Sequence, residues 1–217
     1  MGRKQILTYP PIKKWAKENN LKILQPKKIG DPEWNRMIRE LNPDLIILAA
    51  YGQIIPKEIL DIPKYGALNI HPSLLPKYRG ASPIQAAILN GDKETGVTII
   101  LMDEKTDHGD IVAKLKVKSQ KLKVTYKELS DKLADAGAEL LIKTLPDWIE
   151  GKIKLQPQNH EKTTFCKIIK KEDGKINWNK SAEEIERQIR ALNPWPGAYT
   201  GIKNLIDMEK LSNENFL

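Results

Sequence analysis

The 217 residues carry 36 Lys and Arg against 28 Asp and Glu, a formal net charge of +8, and 40% of the side chains are hydrophobic. That balance suits a soluble globular chain with a real core, and the longest apolar run, residues 45–51, is too short to cross a bilayer. The opening Met1, Gly2, Arg3 and Lys4 lead into no apolar signal region, and the single Cys166 allows no internal disulfide, so a cytoplasmic chain is expected.

In chain order, an amphipathic helix is predicted over 12–19, stopping at Asn19-Asn20. Asp31 with Pro32 opens a second helix that runs to about Leu41. Residues 45–50 (LIILAA) read as a strand buried on both faces, and residues 67–70 as a second strand entered through a turn at Gly66. Ser82 starts a helix over 83–89 that stops near Gly91, and a third strand covers 97–102. Residues 111–118 alternate apolar and polar, the pattern of a half-exposed strand near a sheet edge.

The longest helix, 125–145, places Leu129, Leu133, Ala136, Leu140 and Leu141 at helical spacing, with Thr125 and Glu128 as a capping box. A last helix over 181–192 begins on Ser181 with Glu184 three residues on. Short apolar runs alternating with helices define an α/β fold. The residues before the first helix form a basic, Pro-containing loop rather than a strand, and residues after Gly197 trail into polar sequence too short for a domain. One domain over 1–200 is therefore expected, with 201–217 as a linker or remnant.

The chemistry concentrates between residues 49 and 112. Asn69 and His71 leave one side of a strand at its carboxyl end, where open α/β sheets bind ligands. Ser73 offers a hydroxyl in a loop stiffened by Pro72 and Pro76, and Asp107 follows the next strand. Such a trio has a coherent use in acyl transfer. A neutral imidazole takes a proton from an attacking amine, a carboxylate orients the ring, and an amide N–H stabilises an oxyanion. No serine or cysteine sits in a nucleophile elbow, so direct attack by an amine fits better than a covalent intermediate.

Taken singly, each residue also has a structural use: His71 closing the strand end, Asn69 in a turn, Asp107 capping a loop. His71, Asp107 and His108 match no metal-ligand spacing, so no metal is expected; His108 and His160 read as loop residues and Cys166 as packing. The basic excess suits either a polyanionic partner or a solvated Lys-rich surface.

Asn69-Ile-His71 followed by Ser73-Leu-Leu-Pro76, then residues 78–84 (YRGASPI), 90–98 (NGDKETGVT) and 102–111, resembles the signature of formyltetrahydrofolate-dependent formyltransferases. The likeness runs over nearly all of residues 2–200. It implies a Rossmann-like, mostly parallel sheet lacking its first strand or strands, with an uncovered sheet edge. It also implies transfer of a formyl group from 10-formyltetrahydrofolate to an amine. By that resemblance Asn69, His71 and Asp107 are the catalytic residues. The folate would lie against Tyr51, Gly52, Gln53, Ile54, Ile55 and Pro56 and the loop of Ser73, Leu74, Leu75 and Pro76.

Gly2-Arg3-Lys4-Gln5 leading to Pro10-Pro11 resembles the back half of a basic loop found in the members that act on initiator methionyl-tRNA, which makes Arg3 and Lys4 tRNA-binding candidates. The segment 193–200 (NPWPGAYT) fits that branch and also the branch acting on nucleotide-linked amino sugars. A third possibility is a folate- or RNA-binding chain without turnover. No membrane partner and a monomeric state are expected.

Overall fold

The computed structural model describes residues 9–118 and 123–201, so Arg3 and Lys4 lie outside the described residues. The elements follow in the order α1 (Pro11–Glu18), α2 (Pro32–Leu41), β1 (Ile46–Ala49), α3 (Lys57–Leu60), β2 (Ala67–His71) and β3 (Arg79–Gly80). After these come α4 (Pro83–Leu89), β4 (Glu94–Leu101), β5 (Ile111–Lys118), α5 (Tyr126–Ile149), β6 (Phe165–Cys166) and α6 (Ala182–Ala191).

Local sequence explains most of these boundaries. Pro occupies the first turn of α1, α2 and α4, where its missing N–H costs nothing. Asn42 ends α2 in the left-handed conformation, with φ of 45°. Thr125–Glu128 and Ser181–Glu184 form the expected capping boxes, whereas the Asp31 and Ser82 side chains make no cap hydrogen bond. The helix α5 runs four residues past its predicted end, carrying Pro146 within it.

The central sheet has the order β1-β2-β4-β5. β1 and β2 pair in parallel, while β4 joins β2, and β5 joins β4, antiparallel. A separate two-stranded parallel pair, β3 with β6, has no sequence signal because each strand is two residues long. The α/β class stands, with parallel pairing in these two strand pairs and in an isolated bridge between Lys175 and Tyr199.

The expectation that residues 45–50 are buried on both faces does not hold. Among the described residues β1 pairs on one side only, and Ile47 is 43% exposed. The apolar face of α1 is likewise uncovered, with Ile12 and Trp15 exposed and no residue of the helix buried. Exposure therefore separates β1 from the core strands, although its sequence is as apolar as theirs.

Two packed layers hold the sheet. α5 lays Leu129 and Leu133 against Val97, joined by Ile84 and Ile88 of α4 and by Ile169, Ala191 and Leu192. Segments from Ile84 to Leu192 thus contribute to this core. Around the β1–β2 pair, Leu48 and Ala67 pack with Ile29, Ile55, Ile59 and Leu60.

Gly137 lets α5 approach the sheet closely: a Cβ there would lie 2.9 Å from Ile70 Cγ2. Alanine would gain about 1 kcal/mol of helix propensity against that contact. The larger side chain of Gly137→Val should lose about 1–3 kcal/mol through overpacking, so its melting temperature is expected to fall by several degrees in a thermal unfolding scan.

Candidate active site

The parallel register sets Ala49 opposite Ile70, so the chain leaving β1 emerges beside the carboxyl end of β2, where His71 sits. β4 lies along the other side, with Thr98 opposite His71. After β4 the loop 102–110 turns back and carries Asp107 to Asn69 and His71. Gly109 is required in that turn, because a Cβ would lie 1.8 Å from the Leu101 carbonyl oxygen.

The three sequence-predicted catalytic residues meet on one carboxylate. Asn69 Nδ2 donates to Asp107 Oδ1 at 3.1 Å, and His71 Nδ1 lies 3.4 Å from the same oxygen. The other oxygen, Oδ2, accepts the Gly80 backbone N–H at 2.8 Å. Asp107 itself has φ of 47°, a conformation non-glycine residues adopt at a cost of order 1 kcal/mol, so its placement depends on these outside bonds.

His71 is 4% exposed, and its Nε2 lies 2.9 Å from the Tyr78 carbonyl oxygen. A carbonyl only accepts, so Nε2 carries a proton and Nδ1, facing Asp107, is the position at which a second proton would be held. Burial pushes the His71 pKa below its ordinary 6.5, against the opposing pull of the Asp107 charge and the Tyr78 carbonyl. The ring is therefore neutral at neutral pH, as a proton acceptor must be.

The surrounding loop is tied to the sheet. The Ser73 hydroxyl donates to the Lys77 carbonyl at 2.6 Å, and Ser73 is fully buried, so its hydroxyl serves the loop rather than facing outward. Thr98 Oγ1 donates to Ser73 O and accepts the Leu75 N–H, while Lys114 Nζ donates to Leu75 O. Burial lowers the Lys114 pKa, with Lys116 adding to the effect. Leu75 is buried against Ile100 and Ile111, and Pro76 follows it through a cis peptide bond.

The stretch from Tyr51 to Pro56 divides in two. Ile55 is part of the core beneath β1, Gln53 accepts the Ile29 N–H and donates to Lys27 O, and Pro56 leads into α3. Tyr51 and Ile54 stay exposed, Ile54 by 78%, and the space where a Gly52 side chain would point is open. Three residues thus fix the segment and three face outward beside the β2 end.

Several participants carried no sequence signal strong enough to single them out. Tyr78 contributes a carbonyl and Gly80 a backbone N–H, neither of which residue type reveals. Arg79 and Gln158, both buried, bond to each other next to the Asp107 loop. His108 contacts Asp103 at 2.5 Å and stacks on His160 with ring centroids 4.3 Å apart. Cys166 accepts the Ser82 N–H, and burial raises its pKa, as suits a packing thiol. Among the described residues no group of three His, Cys, Asp or Glu side chains is arranged to hold a metal. No described helix is long and apolar enough to cross a membrane.

A cleft of about 720 Å³ lies under the 102–108 turn, lined among others by Lys57, Tyr65, Met102, Glu104, His108 and Trp148. It shares that turn with the triad but does not include Asn69 or His71. The triad is largely buried, and its polar convergence marks it as the chemical centre more firmly than cleft size does.

Residues 2–145 match the family described as formyl transferase and residues 168–214 its C-terminal domain, and the chain belongs to the formyl transferase family. It is 48% identical over 200 residues to methionyl-tRNA formyltransferase of Bacillus cytotoxicus, an alignment covering 92% of this chain and 63% of that relative. The chain thus spans just under two thirds of that relative's length.

Among solved structures, a sugar N-formyltransferase from Shewanella superposes with a TM-score of 0.72 at 25% identity, over 86% of this chain and 74% of that one. HypX from Aquifex aeolicus, in complex with tetrahydrofolic acid, shares the fold with a TM-score of 0.67 at 24% identity, over 78% of this chain and 29% of that one.

The pKa of His71 has a consequence for stability. Because the folded state holds that pKa below 6.5, the unfolded chain takes up the proton first as pH falls. Stability from this residue is complete above about 6.5 and declines below it. The melting temperature is expected to fall on acidification from neutral pH to about 5, and to fall less in His71→Gln, measured side by side in the same buffers.

Proposed function

We propose that the site transfers a formyl group from 10-formyltetrahydrofolate to the amino group of initiator methionyl-tRNA in the cytoplasm. The observation that carries this reading is the meeting of Asn69 and His71 on the single oxygen Asp107 Oδ1. One N–H of the Asn69 amide is committed to Asp107, and its second is the donor for the oxyanion that forms when an amine attacks the formyl carbon. His71 Nδ1 takes the proton lost by the amine, and Asp107 stabilises the imidazolium that results. As the tetrahedral species collapses, the tetrahydrofolate nitrogen leaves and regains a proton. Atoms and charge balance without a metal or redox partner.

Tyr51, Gly52 and Ile54 form the outward part of the proposed folate surface, an apolar patch suited to a flat heterocycle, while Gln53, Ile55 and Pro56 hold it in place. In the loop of Ser73, Leu74, Leu75 and Pro76, buried bonds fix the backbone that borders the same site. Arg3 and Lys4 remain proposed tRNA contacts. The methionyl-tRNA acceptor is supported by the 48% identical Bacillus relative and by a net charge of +8, which favours a polyanionic partner. The proposed unit is one domain over 1–200, acting as a monomer.

A second reading, formylation of a nucleotide-linked amino sugar, is supported by the Shewanella structural neighbour. Competing the two acceptors with 10-formyltetrahydrofolate separates them: turnover of methionyl-tRNA alone is expected, and turnover of the amino sugar alone would overturn the assignment. Asn69→Ala should lower kcat by roughly a hundredfold or more through loss of an oxyanion donor. His71→Ala should lower it by a similar or larger factor, about 10²–10⁴, with folate binding retained. A transfer rate unmoved by either substitution would show that the chemistry lies elsewhere.

A further inference from the structure

The left-handed backbone at Asp107 needs an outside support, and the structure supplies one from far along the chain. Gln158 is 4% exposed. Its Nε2 donates to the Asp107 carbonyl at 2.9 Å and to the Gly109 carbonyl at 2.7 Å. Its Oε1 accepts from Arg79 Nε at 3.2 Å and Nη2 at 2.7 Å. Both amide hydrogens and both acceptor positions are thereby used.

The orientation of this amide is fixed by its partners. A guanidinium only donates, so the oxygen must face Arg79; two carbonyls only accept, so the nitrogen must face the loop. Arg79 is buried too, anchored by its backbone N–H to Thr164 O and by a side-chain contact of 2.9 Å to His160 Nδ1. Two residues before Gln158, Gln156 exchanges both backbone hydrogen bonds with Ile111, at 2.8 and 3.0 Å, which locks the register of the segment against the exit of the Asp107 loop. The loop also passes too close to β4 for a side chain at Gly109, where a Cβ would lie 1.8 Å from the Leu101 carbonyl oxygen.

We infer that Gln158 is a positioning residue for the transfer site: it clamps the two carbonyls flanking the Asp107 turn, so that the carboxylate stays on Asn69, His71 and the Gly80 N–H. Gln158 makes no hydrogen bond to any of those three groups; it acts through the loop and through Arg79, the residue between Tyr78 and Gly80. No other side chain reproduces the clamp. Glutamate would set a carboxylate oxygen against two carbonyls, asparagine is one methylene short, and methionine keeps the length but makes no hydrogen bonds.

The kinetic consequence rests on the formyl-transfer reading, but the geometric one does not, so the test reads both in the full chain. Gln158→Met and Gln158→Glu are compared with the parent by following the His71 imidazole resonances across pH, by thermal unfolding, and by transfer from 10-formyltetrahydrofolate to methionyl-tRNA. With Asp107 released from the ring, the His71 titration midpoint is expected to move lower in both variants. A folded baseline should remain, kcat should drop by roughly ten- to a hundredfold, and the KM for methionyl-tRNA should change by no more than about twofold. A His71 titration that superimposes on the parent's in either variant would overturn the inference. So would loss of the cooperative melt in both, which would assign Gln158 to fold stability alone. A parent inactive towards methionyl-tRNA and amino sugars alike sinks the formyl-transfer reading, and the His71 titration then still decides the clamp.

Discussion

Everything at this site depends on where one carboxylate sits. Asp107 gives one oxygen to Asn69 and His71 and the other to the Gly80 N–H, from a backbone conformation that a non-glycine residue holds only under constraint. In a partly desolvated place such contacts are stronger than in water, and an unmet partner is correspondingly costly. The competing effects on His71 are decided by burial: removal from water outweighs the attraction of Asp107, so the ring rests neutral beside a carboxylate able to stabilise its charged form. That is the resting state a proton acceptor requires, with the stabilisation arriving only when the proton does.

The fold delivers this arrangement through β2. The strand is flanked by β1 and β4 and backed by α5, which the bare Gly137 allows to come close. Asn69 and His71 therefore project from a rigid element, while Asp107, Gly80 and the Tyr78 carbonyl come from loops tied to it by side-chain-to-backbone bonds. Site geometry is then only as good as those ties, and most of them involve groups remote in sequence.

Much of this was legible from sequence where the signal is local. Capping boxes at Thr125 and Ser181, the helical spacing of α5 and the two-residue spacing of Asn69 and His71 all depend on neighbours within a few positions. What stayed hidden is non-local or carried by backbone. The exposure of Ile47 depends on what covers β1, not on the composition of that strand. The Tyr78 carbonyl and Gly80 N–H have no residue-type signature, and the Arg79–Gln158 pair joins positions whose partnership no spacing rule anticipates. The bond from the Ser73 hydroxyl to the Lys77 carbonyl was hidden for a related reason, since residue type does not say which backbone group a hydroxyl will use.

The most direct measurement is the titration of the His71 imidazole in Asp107→Asn against the parent chain, followed by nuclear magnetic resonance. The amide keeps the shape of the side chain but removes its charge, so the account predicts a midpoint displaced to lower pH, with burial opposed only by the Tyr78 carbonyl. A midpoint that stays in place or rises would mean that Asp107 does not govern the ring, and the account of the site would fail with it.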